Sequence, residues 1–270
     1  LEDKTFTIKA GETEYHIPTQ NLLDFPLPEE FLPEREIFMK SEILKSAIRK
    51  VSPFVDKSNI RPVLSGIFIE SRGDEVRLVA TDANRLAVKK IHIEDIGSSV
   101  ILPALSLETF TSADLDEDIV IDFSNSKVRL RSKDITLVTS IIDGNFPQYE
   151  RVIPSEFVST IRLDKEMLRE SIRRILPISK EEDYAVKFSI KKEKLILSSR
   201  SPIGIVFDEL SVETEGDEID VFFSANYITE FLSVGEGIVT IRISGEKDPA
   251  LFTFDSDPDF IYVTMPMEAE

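Results

Sequence analysis

The feature that most constrains this chain is an internal repeat. Ile43-Leu44-Lys45-Ser46-Ala47-Ile48-Arg49-Lys50-Val51-Ser52-Pro53 matches Met167-Leu168-Arg169-Glu170-Ser171-Ile172-Arg173-Arg174-Ile175-Leu176-Pro177 without a gap, Leu44 falling on Leu168, 124 residues further on. Apolar, basic and proline positions coincide. Both segments read as amphipathic helices: Leu44, Ala47, Ile48 and Val51 follow the i, i+3, i+4, i+7 rule, as do Leu168, Ser171, Ile172 and Ile175. Ser41 and Asp164 are the expected N-caps. The helices should stop before Pro53 and Pro177, or shortly after them with a kink.

The ends of the units repeat as well. Leu22-Leu23-Asp24 precedes Phe25-Pro26, Ile141-Ile142-Asp143 precedes Phe146-Pro147, and Tyr262-Val263-Thr264-Met265 runs into Pro266. Three unit ends against two helices give an organisation of one remnant and two complete copies. The expected domains are 1–30, the C-terminal remnant of a first copy, then 31–154 and 155–270. The helix of the first copy would lie upstream of Leu1, where the chain opens directly in the strand-like alternation Thr5-Phe6-Thr7-Ile8, so further residues are expected there.

Between the helices the chain reads as short strands. Val76–Thr81, Leu86–Ile93, Ile119–Phe123, Val128–Arg131 and Ile135–Ile142 belong to the first complete unit. Ala185–Ile190, Leu195–Ser199, Ile205–Val212, Ile219–Phe223, Ile238–Ile243 and Leu251–Phe254 belong to the second. Turn signals such as Arg72-Gly73-Asp74 favour antiparallel pairing. A second short helix is expected in each unit, at Ser106–Ala113 and Asn226–Leu232. The fold class is therefore α+β: repeated domains, each with antiparallel sheets and two helices.

Charge narrows the function. The 270 residues carry a net charge of −18, from 32 basic and 50 acidic side chains. Such a chain does not coat itself in nucleic acid non-specifically. Yet residues 40 to 57 hold five basic and two acidic residues, so charge is segregated. Lys45 and Arg49 lie one turn apart, with repeat mates Arg169 and Arg173, and Lys50 matches Arg174; Lys40, Lys57, Lys165 and Lys180 flank them. One amphipathic helix with a basic wet face is ordinary. Its recurrence at matching repeat positions points to phosphate contact, which needs a positive face and carries no base information. The absence of cysteine removes disulfides, thiolate nucleophiles and Cys-ligated zinc. No signal peptide is recognisable and no stretch approaches a membrane span of about 20 apolar residues, so a cytoplasmic protein without membrane contact is expected.

Three passages carry a family resemblance. They are Leu64-Ser65-Gly66-Ile67-Phe68-Ile69-Glu70 with Val79-Ala80-Thr81-Asp82-Ala83-Asn84-Arg85-Leu86-Ala87, then Asp143-Gly144-Asn145-Phe146-Pro147-Gln148-Tyr149-Glu150-Arg151-Val152-Ile153-Pro154, then Tyr262-Val263-Thr264-Met265-Pro266-Met267. In order and spacing the chain resembles the beta subunits of bacterial DNA polymerase III, the replicative sliding clamps. The resemblance implies three similar domains per subunit and two subunits closed head to tail, with twelve helices around the hole and sheets at the rim. It implies a non-catalytic processivity factor, without cofactor, that encircles double-stranded DNA and tethers the polymerase III alpha subunit, the clamp loader delta subunit, and other polymerases and repair proteins. Lys45, Arg49, Lys50, Arg61, Arg169, Arg173 and Arg174 would then face DNA.

The resemblance also implies a peptide pocket between the second and third domains. The matching positions in the second domain are Leu64, Thr81, Ala83, Asn84, Arg85 and Leu86, then Pro147, Arg151 and Val152. Those in the third are Ser224, Tyr227 and Pro249, then Val263, Met265, Pro266 and Met267. Leu64, Leu86, Val152, Val263 and Met265 would make an apolar socket, methionine suiting a surface with several partners, and Arg85 and Arg151 would frame it. The chain departs from the family pattern in four places: the terminus Glu268-Ala269-Glu270, Asn84 where a ring residue is frequent, Ala104-Leu105 in place of a basic pair, and Asn59-Ile60-Arg61-Pro62-Val63 in place of an aromatic loop.

Two other readings compete. An enzyme would need a site, and the acidic clusters Asp114–Asp118 and Asp255–Asp259 lack the Gly and terminal Glu of a calcium loop; solvated turns are expected there. His16 and His92 have no matching ligand set, and no phosphate loop or nucleophile elbow is found. A peptide-binding adaptor with no DNA role is opposed by the basic helices.

Overall fold

The computed structural model describes residues 5–19, 31–58, 60–93 and 96–268. The chain forms two compact units, residues 1–32 and residues 33–270. The first holds one antiparallel hairpin, β1 (Thr5–Ala10) and β2 (Thr13–Pro18), with Thr5 opposite Pro18 and Gly11 at the turn. Every hairpin residue is exposed. The expected unit end at Phe25-Pro26 lies outside the described residues.

The second unit contains both complete repeats. Its first half runs β3 (Arg35–Lys40), α1 (Ser41–Val51), β4 (Gly66–Arg72), β5 (Glu75–Thr81), β6 (Arg85–His92), β7 (Val100–Pro103), α2 (Ala104–Thr111), β8 (Asp118–Phe123), β9 (Lys127–Arg131) and β10 (Thr136–Ser140). Its second half runs β11 (Ser159–Asp164), α3 (Lys165–Ser179), β12 (Ala185–Lys191), β13 (Lys194–Ser201), β14 (Gly204–Ser211), β15 (Glu213–Gly216), β16 (Ile219–Ser224), α4 (Ala225–Ser233), β17 (Ile238–Ile243), β18 (Ala250–Phe254) and β19 (Asp257–Thr264).

The strand orders reproduce the repeat. In the first half the orders are β10-β9-β8-β3 and β6-β5-β4-β7. In the second they are β19-β18-β17-β11, with β15 added at the edge, and β14-β13-β12-β16. The halves fuse where β19 pairs antiparallel with β6, Phe260 opposite Lys89 and Thr264 opposite Arg85, giving one nine-stranded sheet. α1 packs on β5 and β6 beside α2; α3 packs on β13 and β14 beside α4.

Side-chain alternation accounts for these elements. Along β12, Val186, Phe188 and Ile190 face inward while Lys187, Ser189 and Lys191 are half-buried on the other face. The predicted helical stripes are buried: Leu44, Ala47, Ile48 and Val51 on α1, and Leu168, Ser171, Ile172 and Ile175 on α3. The core of the second half is aromatic, with Phe231 stacked on Phe254 and on Tyr262 at centroid distances of 4.4 and 5.1 Å.

Among the strands that the sequence reading does not name are β3, β4, β7, β11 and β15. β3 hides its alternation because Phe38, on the outer face, is as apolar as the inward Ile37 and Met39. β7 is a short continuous apolar run, which periodicity does not resolve. The helix ends also differ from expectation. The first residue of α1 is Ser41 itself, so Lys40 occupies the N-cap position and no side chain caps it. Asp164 caps α3 as expected, its Oδ1 accepting from the amides of Glu166 at 2.8 Å and Met167 at 3.2 Å. α1 stops before Pro53, whereas α3 carries Pro177 within its last turn.

Candidate functional site: an apolar cavity and two basic helix faces

Three chain segments of the first half surround a cavity of about 640 Å³. The first wall is the stretch Ile60 to Leu64, entering a 3-10 turn at Pro62–Ser65. The second is the connection from β5 to β6, with Thr81, Ala83 and Leu86. The third is Asn145, Pro147, Gln148, Tyr149 and Val152, ending in a 3-10 turn at Tyr149–Val152. Beneath lies a small cluster separate from the main core: Val79, Leu86, Val88, Tyr149, Leu251 and Val263. Leu64 and Leu86 are buried in the floor while Val152 and Ile60 are exposed at the rim.

Local hydrogen bonds fix the second wall. Thr81 Oγ1 donates to the Arg85 carbonyl at 2.6 Å and accepts from the Ala83 amide at 3.1 Å. Asp82 Oδ1 accepts from the amides of Asn84 and Arg85 at 2.9 and 3.1 Å, a side-chain turn that short Asp favours. The turn puts Ala83 at φ 78°, a region an L side chain rarely adopts. Gly144, at φ 129°, brings the third segment against the first: a Cβ there would meet Val63 Cγ2 at 2.7 Å. Arg61 links the first wall to the second. Its guanidinium donates to Asp56 Oδ2 at 3.0 Å and to the Asp82 carbonyl at 3.0 Å. Hydrogen bonds from Ser58, then Arg61, hold the Asp56 carboxyl below its ordinary range against the opposing effect of burial.

Of the sixteen pocket positions expected from the sequence, Leu64, Thr81, Ala83, Leu86, Pro147 and Val152 line the cavity. Arg85 requires correction as a peptide-facing cation. Its side chain is 7% exposed and bonds Asp82, at 2.9 Å, and Glu230, while its guanidinium lies 4.3 Å from the Tyr227 ring centre. Arg85 and Tyr227 thus clamp the two halves together behind the second wall. Val263 sits in the cluster under Leu86. Met265 is exposed beside the second wall, its amide donating to the Asn84 carbonyl at 3.0 Å, and Pro266 follows it half-buried. Met267 lies elsewhere, its amide on the Phe222 carbonyl at 2.8 Å in a depression with Lys187 and Asp220. Ser224 is buried at the start of α4 and Pro249 precedes β18; neither lines the cavity. Arg151 is exposed in the third segment, outside the lining. Ile60, Pro62, Val63, Asn145, Gln148 and Tyr149 line the cavity without having been singled out; the last three stand inside a motif that carried the resemblance, whereas Ile60, Pro62 and Val63 stand in the loop that departs from the family pattern.

The basic faces are uneven. Arg49 is exposed, and no ion pair to it is found among the described residues. Arg173 is 78% exposed and only 3.8 Å from Glu170; Arg169 pairs with Glu166 at 2.5 Å and Lys45 with Glu42 at 3.4 Å. Arg174 pairs with Asp208 on β14. Lys50 requires correction: it is buried, with Nζ 2.6 Å from Asp257 Oδ2, and does not share the face of Arg49. Asp257 also accepts from Lys89 at 2.6 Å, so it is no solvated turn residue. Leu105, in place of an expected basic residue, is exposed. Arg61 serves the cavity rim described above rather than standing alone as a cation.

Comparison with known proteins agrees with this arrangement. Residues 38–148 match the model of the DNA polymerase III beta subunit central domain, and residues 150–268 match that of its C-terminal domain. The chain is 27% identical over 277 residues to the beta sliding clamp of Streptococcus pneumoniae, covering 99% of this chain and 73% of that one. It is 28% identical to the clamp of Bacillus subtilis, over 96% and 71%. Among solved structures, the DNA polymerase III beta subunit of Thermotoga maritima superposes with a TM-score of 0.91 at 26% identity, covering all of this chain and 75% of that one. With both domain models matched in order and the fold reproduced, the chain belongs to the DNA polymerase III beta subunit family, the beta sliding clamps.

Proposed function

We propose that this chain is a processivity factor that holds partner proteins on duplex DNA and performs no chemistry of its own. The observation that carries the reading is the apolar cavity, whose buried floor of Leu64 and Leu86 and exposed rim of Ile60 and Val152 suit aliphatic and aromatic side chains of a short peptide. The partners would be the DNA polymerase III alpha subunit, the clamp loader delta subunit and other polymerases and repair proteins bearing clamp-binding peptides, met in the bacterial cytoplasm. No described helix is long and apolar enough to cross a membrane.

Ring closure with a second copy is supported by the repeat. β6 is paired along its outer edge by β19, but among the described residues its counterpart β14 has no strand beyond it. That edge carries Ile205 and Phe207, 67% and 75% exposed, with Ile203 beside it at 65%. An unpaired apolar edge is a template for another chain. In a full-length subunit, we take it to receive the first domain of a head-to-tail partner, placing Arg49 and Arg173 toward DNA.

The deciding experiment is fluorescence anisotropy with a labelled Gln-Leu-x-Leu-Phe peptide. The chain should bind it, and Val152→Glu should abolish binding while leaving the thermal midpoint unchanged. Equal binding by that variant would place the peptide site elsewhere.

A further inference from the structure

The third wall of the cavity is attached in an unusual way. Between Ile142, whose amide donates to the Ile101 carbonyl, and Val158, whose amide donates to the Ile243 carbonyl, the described backbone bonds stay within the segment: Tyr149 to Pro147, Arg151 to Gln148, Ile153 to Glu150. Side chains must therefore hold this wall in place. Phe146 stacks on Phe68 of β4 at 4.8 Å. Tyr149 is 5% exposed; its ring lines the cavity and its hydroxyl donates to Glu70 Oε2 on β4 at 2.5 Å. The next residue, Glu150, accepts from Arg72 at 2.9 Å and from Arg77 at 2.8 Å. Arg72 bonds Glu70 as well, at 2.9 Å, and Arg77 bonds Glu75 at 2.5 Å. The result is a closed set of charge-assisted bonds between the β4–β5 hairpin and the turn that presents Val152.

We propose that Glu70, Arg72, Arg77 and Glu150 act through Tyr149 as positioning residues of the peptide pocket, setting how far the third wall stands from the second. This rests on the pocket reading above. None of the four lines the cavity, so their effect on a peptide is indirect. Desolvation, then the neighbouring Glu70, pushes the Tyr149 hydroxyl up to about 12, so it remains a donor throughout the neutral range. Arg72 brings the Glu150 carboxyl below its ordinary range, so that partner remains an anion there.

The test is binding of the labelled Gln-Leu-x-Leu-Phe peptide to the whole 270-residue chain, with the thermal midpoint recorded for each variant. Tyr149→Phe and Glu150→Arg should each weaken binding at least fivefold without lowering the midpoint by more than a few degrees. Glu150→Gln, which keeps a carbonyl oxygen to accept from Arg72 and Arg77 without setting like charges together, should bind within twofold of the parent, a recovery that general loosening of the fold would not give. If Val152→Glu abolishes binding while Tyr149→Phe and Glu150→Arg bind like the parent, the clasp has no positioning role and the pocket reading survives. If Glu150→Gln binds as weakly as Glu150→Arg, positioning by these bonds is likewise overturned. If Val152→Glu itself binds normally, the pocket reading falls and this inference falls with it.

Discussion

Lys50 Nζ lies 2.6 Å from Asp257 Oδ2 and 5.3 Å from the centre of the Phe260 ring. This pair joins α1 of one half to the first residue of β19 in the other, and Lys89 of β6 completes it from the opposite carboxylate oxygen. All three side chains are at most 14% exposed. A charge so placed attracts strongly but is also costly to leave without its partner.

Replacing Asp257 by Asn should therefore destabilise the second unit by about 3 kcal/mol, because two desolvated ammonium groups lose the carboxylate they share. Urea denaturation at pH 7 checks the magnitude. Burial pushes the Asp257 carboxyl up, but Lys50 and then Lys89 outweigh it, and its pKa lies below the ordinary range. A carboxyl depressed in the folded state stabilises above its unfolded pKa, and that stabilisation is lost as pH falls through the folded value. The difference between parent and Asp257→Asn should accordingly be constant near neutrality and shrink below about pH 4. A difference independent of pH down to that range would show that the carboxylate charge is not what matters.

Arg49 and Arg173 are the repeat-related cations least engaged by carboxylates, so they should dominate any phosphate contact. Binding of this chain to duplex DNA should be weak and should fall steeply with salt, each neutralised phosphate adding about 0.9 to the slope of log K against log salt. Arg49→Glu with Arg173→Glu should lower that slope by about two and weaken binding equally on all sequences. Unchanged slopes in a filter-binding titration would remove these helices from the DNA face.

Asp164 accepts from two otherwise unpartnered amides at the start of α3, whereas the start of α1 has no side-chain cap. Asp164→Ala should cost about 1 kcal/mol. Thermal denaturation of that variant against Ser41→Ala, where no cap bond is lost, separates capping from the general effect of an alanine at a helix start.

Local pattern and long-range contact explain which parts of this molecule could be read in advance. Leu44, Ala47, Ile48 and Val51 announce a buried face because helical periodicity is a property of neighbours in sequence. Leu64, Thr81, Ala83, Leu86, Pro147 and Val152 were found together because they stand in motifs of the family. Lys50 has the helical spacing of a surface cation, and nothing near it in sequence tells that Asp257 will arrive from the far half. Arg85 is misread for the same reason: Glu230 and Tyr227, on α4, turn an expected rim charge into an interior clamp. β3 fails differently, since Phe38 on its outer face breaks the alternation that defines a half-buried strand.

Ala83 joins stability and binding in one residue. Its φ of 78° is held by the Thr81 and Asp82 side chains, whose bonds to the Ala83, Asn84 and Arg85 amides determine the turn. A non-glycine residue in that region carries a strain of about 1 kcal/mol, and glycine would relieve it while adding freedom to the unfolded chain. Ala83→Gly should stabilise the protein by about 0.5 kcal/mol, the smaller remainder of those two effects. The same change strips a methyl group from the second wall of the cavity and loosens the turn that carries it. Peptide affinity should then fall about fourfold, matching the roughly 0.8 kcal/mol expected for one buried carbon. Urea denaturation and peptide anisotropy on the same sample give both numbers. A variant both less stable and equally tight would mean that the Ala83 methyl is packed into the protein and not presented to the peptide.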